Sequence, residues 1–335
     1  MAIFKTFPSV YSACGLCDRS CSVDRTAGGR GFCGETEVLR IAVASIHRGE
    51  EPPITGLGGS GTIFVTGCTL HCSFCQNYQI SREGMGAPVN TALFAEICLE
   101  LERRGAENIN IVTGSHAAFA LSIGLDEARR RGLSIPALWN SSAYERVAAI
   151  DLAADRIQVY LPDLKTLDST VAERYFKAHD YPEVAKKAIL RMAELRPLSF
   201  VPARGPLPPD MTEKKRPEVL VSGVIMRHLV LPDQLEDTRN VLRWFADKLQ
   251  GKALLSLMTQ YTPVRSNENA DLPDRFIGEK EYQSVIDMLE VFDIEDGFYQ
   301  ELVVADDWLP DFERVNPFSS ELSVPVWHWK SGFVK

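Results

Sequence analysis

The sequence predicts an α/β protein built around a parallel sheet. Short apolar runs rich in β-branched or aromatic residues recur along the chain, as expected for strands that are buried on both faces. Segments with a helical period separate them, and this alternation is typical of parallel sheets with right-handed crossovers. The six predicted strands are residues 61–67, 108–114, 135–141, 156–164, 223–231 and 253–261.

The predicted helices lie between and after these strands. In the first, residues 91–108, the apolar residues near one face are Leu93, Ile97, Leu99 and Leu101, while Glu and Arg occupy other positions. Six strand–helix units indicate a partial (β/α)6 TIM-like barrel. The remaining predicted helices are residues 117–131, 143–154, 182–195, 235–250 and 281–291.

The domain prediction places the barrel at residues 56–295, after a cysteine-rich N-terminal extension at 1–55. An extended C-terminal tail at 296–335, rich in proline and tryptophan, is expected to pack on the barrel. Residues 196–222 contain six prolines and form neither a convincing helix nor a convincing strand. Long irregular loops of this kind are surface excursions, lids or binding loops, and a surface excursion is the favoured interpretation.

Composition excludes several classes of protein. Hydrophobic residues make up 45% and charged residues 24% of the 335 residues, which is ordinary for a globular protein. The net charge of −9 argues against a general nucleic-acid binder, because that role needs a basic face. No apolar run is long enough to span a bilayer, and the first residues lack a signal-peptide layout. We therefore expect a cytoplasmic protein with no membrane partner.

Eight cysteines occur within the first hundred residues and none follows. A disulfide framework usually staples a much smaller secreted domain, so this clustering points to metal binding. A reducing and oxygen-poor, anaerobic setting is expected.

Three of these cysteines, Cys68, Cys72 and Cys75, form a C-x3-C-x2-C pattern directly after the first predicted strand. Thiolates on one short loop can hold three corners of a cubane iron–sulfur cluster, and the absence of a fourth leaves one iron open. Zinc prefers four ligands, usually in two separated pairs, so a zinc site or unmetallated thiols are the weaker alternatives. An open iron favours chemistry at the cluster over simple electron carriage.

The loop resembles that of the radical S-adenosylmethionine (SAM) enzymes, and is closest to the pyruvate formate-lyase activating enzyme-like (PflX-type) branch. The resemblance runs from Cys14 to about Tyr261. It implies a [4Fe–4S] cluster whose open iron is chelated by SAM, and reductive cleavage of SAM to a 5′-deoxyadenosyl radical that abstracts hydrogen. It further implies an electron donor such as flavodoxin or ferredoxin, and places Phe74 beside the adenine of SAM.

Polar residues follow the second and third predicted strands, where ligands bind in parallel barrels. Thr113, Ser115 and His116 lie after the second strand, where activating enzymes often carry a Gly-Gly-Glu motif that this chain lacks. Thr113, Ser115 and His116 are therefore candidates for contact with SAM by position only. After the third strand, Asn140 and Ser141 are suited to capping a helix, and the resemblance adds an approach to the carboxylate end of SAM.

The fourth strand ends in Leu-Pro-Asp-Leu-Lys, which resembles the family's Asp-Leu-Lys motif that contacts SAM. Asp163 and Lys165 are two residues apart and so share one face of a strand. Arg227, on the fifth strand, resembles the family's arginine that reaches the cofactor, with a structural ion pair to Asp163 as the alternative. His228 faces the other way and is interpreted as structural, and Gln260 is a weak candidate for a ribose contact.

Four further cysteines, Cys14, Cys17, Cys21 and Cys33, form a separate glycine-rich constellation. Zinc, a second cluster and free thiols are all compatible with it. Cys98 lies on the apolar side of a predicted helix and is interpreted as a core residue.

The substrate is less constrained than the cofactor. One hypothesis is an activase that abstracts hydrogen from a backbone glycine of a glycyl-radical enzyme. The alternative is an enzyme that acts on a small molecule, peptide or modified cofactor. A non-catalytic iron–sulfur electron-transfer protein is disfavoured, because a carrier has no need of the polar pair Asp163 and Lys165.

Overall fold

A single twelve-stranded sheet with helices packed on it organises the chain. The computed structural model describes residues 8–264, 272–302 and 309–335. The strands are β1 (Arg40–His47), β2 (Ser60–Val65), β3 (Ala87–Pro88), β4 (Ile109–Val112), β5 (Ala137–Ser141), β6 (Val159–Pro162), β7 (Ser199–Pro202), β8 (Glu218–Leu229), β9 (Leu254–Met258), β10 (Gly297–Tyr299), β11 (Ser323–His328) and β12 (Gly332–Phe333). The helices are α1 (Pro8–Ser12), α2 (Pro52–Thr55), α3 (Tyr78–Ser81), α4 (Thr91–Arg103), α5 (Ala118–Arg130), α6 (Val147–Ala153), α7 (Ser169–Phe176), α8 (Tyr181–Leu195), α9 (Leu235–Lys248) and α10 (Glu279–Val291).

The predicted parallel α/β core is confirmed. Strands β2, β4, β5, β6, β8, β9 and β10 are adjacent in that order and parallel. Every residue of β2, β4 and β6 is buried, which explains why these strands read as continuous apolar runs rather than as alternating patterns. The six predicted helices correspond to α4, α5, α6, α8, α9 and α10.

The predicted TIM-like barrel is not confirmed, because the sheet of the described residues does not close. One end carries β10, and the other is extended by β1, β11 and β12, which run antiparallel to their successive neighbours. The sheet nevertheless curves, since residues of β1, β8, β9 and β10 line one cavity.

The interpretation of residues 196–222 as neither helix nor strand is wrong in part. Residues 199–202 form β7, which pairs antiparallel with the first half of β8 in a hairpin. All four residues of β7 are exposed, and an exposed edge accommodates the prolines that argued against a strand.

Two segments outside the predicted barrel also join the sheet. Strand β1 pairs with β2 on one side and with β11, near the C-terminus, on the other. Phe312 is fully buried and contacts Phe64 of β2, with ring centroids 5.5 Å apart. Residues 1–7 of the predicted extension and 303–308 of the predicted tail lie outside the described residues.

No helix among the described residues is both long enough and apolar enough to cross a membrane.

Candidate active site

The three cysteines of the C-x3-C-x2-C pattern follow β2 directly and line a cavity of about 680 Å³. Cys68 and Cys72 are buried, whereas Cys75 is half-buried. The Leu70 N–H donates to Cys68 Sγ at 3.4 Å, and Cys75 Sγ lies 3.4 Å from Ser81 Oγ. Peptide and hydroxyl groups thus fix the sulfurs of the loop at one wall of the cavity.

Burial raises the pKa of the Cys72 and Cys75 thiols, so both are protonated at neutral pH when no metal is bound. Iron ligation displaces those protons, because the thiolate is the ligand. No three His, Cys, Asp or Glu side chains of the described ranges converge as a single metal ion requires. A cubane cluster holds several irons, and its cysteines therefore need not meet at one point. The donor set of this loop fits such a cluster.

Gly67, immediately before Cys68, explains the shape of the loop. Its φ is +89°, a conformation that side chains rarely adopt. A Cβ at this position would lie 2.6 Å from Glu35 Cγ and 2.8 Å from the carbonyl oxygen of Cys33. Glycine is therefore required here both for the turn and for the close approach of the N-terminal extension.

The carboxyl ends of the parallel strands form a second wall of the same cavity, as predicted for this fold class. Thr113 follows β4 with φ of +62°, which is unusual for a β-branched residue, and its N–H donates to the carbonyl of Asn140 at 2.9 Å. Asn140 and Ser141 end β5. Thr113, Asn140, Ser141 and Ser142 all line the cavity.

Asp163 and Lys165 lie after β6 and face the cavity together, as their spacing predicted. Lys165 Nζ is 2.6 Å from Asp163 Oδ2. Burial opposes the charged ammonium, but the carboxylate of Asp163 outweighs it and raises the pKa of Lys165. The Tyr181 hydroxyl braces the turn, accepting from the Lys165 N–H at 2.9 Å and donating to the Asp163 carbonyl at 2.7 Å.

Arg227 also lines the cavity but is already held by two carboxylates. Its Nε donates to Glu51 Oε1 at 2.8 Å, and its Nη2 donates to Glu50 and Glu51. The alternative ion pair with Asp163 is not formed; only their backbones are bridged. The contact between Arg227 and SAM stays a prediction, and SAM would have to compete with Glu50 and Glu51 for the guanidinium.

Sequence reasoning missed Glu50 and Glu51. They follow β1, a strand placed inside the predicted N-terminal extension, and their partner Arg227 is 176 residues away in the chain. The available signal was an acidic pair between the apolar run 41–46 and Pro52-Pro53.

Phe74 is buried at the cavity wall within an aromatic cluster. Its ring contacts those of Tyr175, Phe176 and Tyr261 edge-on, at centroid distances of 6.0, 5.8 and 6.2 Å. Gln260 lines the cavity as well, and its carbonyl accepts from Gln76 Nε2 at 3.2 Å. The structure therefore brings Phe74 and Gln260 to the same cavity as the cysteines.

Ser115 is not brought to this cavity. Its hydroxyl donates to the buried carboxylate of Glu145, which also accepts from Trp139 Nε1 at 2.7 Å and from Ser141 Oγ at 3.2 Å. Neighbouring His116 is buried, its Nε2 lies 2.8 Å from the carbonyl oxygen of Thr66, and burial lowers its pKa to about 3. Both side chains therefore connect neighbouring segments by hydrogen bonds and do not line the cavity.

His228 is structural as predicted, contacting the Leu164 carbonyl at 2.7 Å and Thr238 Oγ1 at 3.1 Å.

The N-terminal cysteines lie beside the loop that contains Cys68, Cys72 and Cys75, called the cluster loop below. Cys14, Cys17 and Cys33 are buried and Cys21 is half-buried. Burial is the main cause that raises the pKa of Cys17 to about 12, and the neighbouring Cys33, Cys21 and Cys14 contribute to the rise. The two regions are joined by a hydrogen bond of 2.9 Å from Arg19 Nε to the Thr69 carbonyl and by stacking of Phe32 on His71 at 4.7 Å.

A buried arginine accompanies these cysteines. Arg25 is 2% exposed, and its Nη1 lies 3.6 Å from Cys14 Sγ. Its other hydrogen bonds go to the carbonyl oxygens of Thr36 and His116. No carboxylate of the described residues forms an ion pair with it. A buried cation without a carboxylate partner is costly, and thiolates at this site would compensate it.

Comparison with known proteins identifies the cofactor of the loop. Residues 54–153 match the family model described as a 4Fe-4S single cluster domain. This stretch contains Cys68, Cys72 and Cys75, and it ends before the polar residues that follow β6. The cofactor of this part of the chain is therefore a [4Fe–4S] cluster.

Relatives were found among both curated proteins and solved structures. The uncharacterized protein MJ0674 of Methanocaldococcus jannaschii is 27% identical over 295 residues, which cover 86% of this chain and 77% of that protein. SuiB of Streptococcus suis bound to S-adenosylmethionine has a TM-score of 0.49 at 12% identity, over 70% of this chain and 48% of SuiB. Methylornithine synthase (PylB) has a TM-score of 0.44 at 13% identity, over 77% of this chain and 71% of PylB. The present chain thus spans about half the length of SuiB.

Proposed function

We propose that this chain is a radical SAM enzyme of the activating-enzyme-like branch, which binds SAM at the open iron of its [4Fe–4S] cluster. One observation carries the proposal: the three cluster cysteines and the polar ends of β4, β5 and β6 line the same cavity. When bound and reduced, the cluster would supply the one electron that cleaves SAM to methionine and a 5′-deoxyadenosyl radical, which would abstract hydrogen from the substrate.

The residues of this chain bind and orient SAM in this proposal. Thr113, Asn140 and Ser141 offer hydroxyl, amide and backbone groups at the strand ends, suited to the amino-acid portion of the ligand. Lys165 offers an ammonium held in place by Asp163, which suits a carboxylate. Phe74 offers an apolar face for adenine.

The binding step can be tested by electron paramagnetic resonance of the reduced cluster in the reconstituted full chain. We expect SAM to change the spectrum, because it adds ligands to one iron. A Lys165→Met variant should need at least about tenfold more SAM, the usual loss for a hydrogen bond to a charged group. Its spectrum without SAM should match that of the native protein.

A matched control is Lys186→Met, which removes a lysine whose ion pair lies on the surface of α8. This variant should respond to SAM as the native protein does. A spectrum that SAM leaves unchanged in the native protein would contradict the proposal.

The substrate hypotheses differ in what the cavity must admit. An activase must receive a loop of its partner, whereas an enzyme for small molecules or peptides needs a walled pocket. The C-terminal segment, residues 309–335, also lines the cavity through Pro310, Phe318 and Leu322. This favours a small molecule or peptide as the second candidate. Reproducible capture of a glycyl-radical enzyme, with transfer of label from its glycine to 5′-deoxyadenosine, would instead favour the activase.

The N-terminal cysteines are proposed to hold a second metal centre, either zinc or an iron–sulfur cluster. The buried charge of Arg25, which has no carboxylate partner among the described residues and lies beside Cys14, supports bound thiolates over free thiols. Elemental analysis should find zinc, or iron beyond one cluster, that Cys17→Ser loses and Cys72→Ala retains. Equal metal content in the native protein and Cys17→Ser would contradict a second metal centre and favour free thiols.

A flavodoxin or ferredoxin is the proposed electron donor, in the cytoplasm.

A further inference from the structure

Charged side chains form a row of alternating sign along the cavity, starting at the cluster loop. Lys165 lines the same cavity as Cys72, and it is paired with Asp163 at 2.6 Å. The backbone of Asp163 is bridged to that of Arg227. Arg227 in turn is paired with both Glu50 and Glu51, which end the row.

The row ends with a surplus of negative charge. Among the described residues, five charged side chains line the cavity, of which Glu50, Glu51 and Asp163 are acidic and Lys165 and Arg227 are basic. His47 beside them does not offset the difference at neutral pH, because burial lowers its pKa. Asp163 and Lys165 neutralise one another, so the surplus belongs to the pair of glutamates that share one guanidinium. Glu51 takes two of the hydrogen bonds from Arg227, and Glu50 takes one.

A buried amide, that of Asn110, lies beside the carboxylate of Glu50. Asn110 is fully buried, and its Nδ2 donates to Glu50 Oε1 at 2.8 Å. The amide therefore holds Glu50 in place, although its own Oδ1 finds no hydrogen-bond partner among the described residues. Asn110 is not among the residues that line the cavity, so it orients the carboxylate of Glu50 toward the cavity from behind.

We propose that Glu50 binds a cationic nitrogen of the substrate, at the end of the charged row away from the cluster. The proposal rests on the proposed function, since it assigns the substrate class of the same cavity. Glu50 is suited to this because its side chain is 11% exposed and lines the cavity, while Asn110 and Arg227 fix its carboxylate. A substrate held there by its charged end would extend along the row toward the cluster.

The test measures ligand binding and needs no turnover. Benzylammonium and benzyl alcohol, nearly equal in shape, are titrated into the reconstituted full chain with and without saturating SAM, and binding is followed by ligand-observed NMR. We expect the ammonium to bind at least about tenfold more tightly than the alcohol. Glu50→Gln should abolish this preference, because Glu51 still pairs with Arg227 and the surplus charge is gone.

The control variant is Glu96→Gln, which removes an exposed carboxylate of α4 and should leave the preference intact. A second arm compares a lysine tripeptide with the norleucine tripeptide, which lacks the side-chain ammonium. A larger preference for benzylammonium over benzyl alcohol identifies a free amine as the source of the cation, and a larger preference for the lysine tripeptide identifies a peptide. Absence of preference in both arms would overturn the proposal. So would competition between benzylammonium and SAM, because Glu50 would then serve the ammonium of SAM itself. Neither failure alters the spectral test of SAM binding at the cluster.

Discussion

Gly67 shows how a single backbone position controls the cluster loop. We expect Gly67→Ala to lose most of its cluster iron, because the methyl group would collide with Glu35 and with the carbonyl of Cys33. The strained φ alone costs about 1 kcal/mol, and overpacking adds about 1–3 kcal/mol. Iron per chain and the thermal midpoint of the metal-free protein measure the two effects.

The matched control for this position is Gly251→Ala. Gly251 also has a positive φ, of +73°, but a Cβ there meets nothing within 4 Å. It should lower the thermal midpoint slightly and keep its iron. Equal iron loss in both variants would contradict the assignment of a close contact at Gly67.

Individual site residues were predictable where the chemistry is local in sequence. The spacing of Asp163 and Lys165 placed both on one face of a strand end, and the structure pairs them there. The partners of Arg227 were not predictable, because 176 residues separate it from Glu51. Ser115 was misplaced for a similar reason, since its orientation depends on Glu145, a residue that local patterns gave no reason to bury.

At the scale of elements, the C-terminal segment is anchored through Phe312. This side chain is fully buried against Phe64 and Phe318, and its carbonyl accepts from Trp329 Nε1 at 2.9 Å. We expect Phe312→Ala to lower the free energy of unfolding by about 3–5 kcal/mol, measured by urea titration. Phe333→Ala on β12, where the ring is 38% exposed, should cost much less. Similar losses in the two variants would show that the segment is not anchored at Phe312.

The parallel strands were predictable because strands covered on both faces contain continuous apolar runs. The strands that extend the sheet were not. Strand β1 precedes its partner β11 by about 280 residues, so no local pattern indicates their pairing. Strand β7 is exposed throughout and ends in Pro202, so it lacks the burial that marks a strand and contains a residue that is depleted in strands.

For the molecule as a whole, the central feature is that distant segments share one cavity. The cluster loop, the ends of the parallel strands, the acidic pair after β1 and the C-terminal segment all line it. Residues 54–153, which match the cluster family model, supply the cysteines and the first polar strand ends. The rest of the chain supplies the charged row and the remaining wall, where we expect specificity to reside.

The most direct test of the account is whether the protein cleaves SAM reductively. The chain is reconstituted anaerobically, reduced and mixed with SAM, and 5′-deoxyadenosine is measured by mass spectrometry. We predict its release by the native protein and its loss in Cys72→Ala, because Cys72 is one of the three cysteines proposed to hold the cluster. A preparation with a spectroscopically verified, reducible cluster that forms no 5′-deoxyadenosine, with or without candidate substrates, would contradict the assignment.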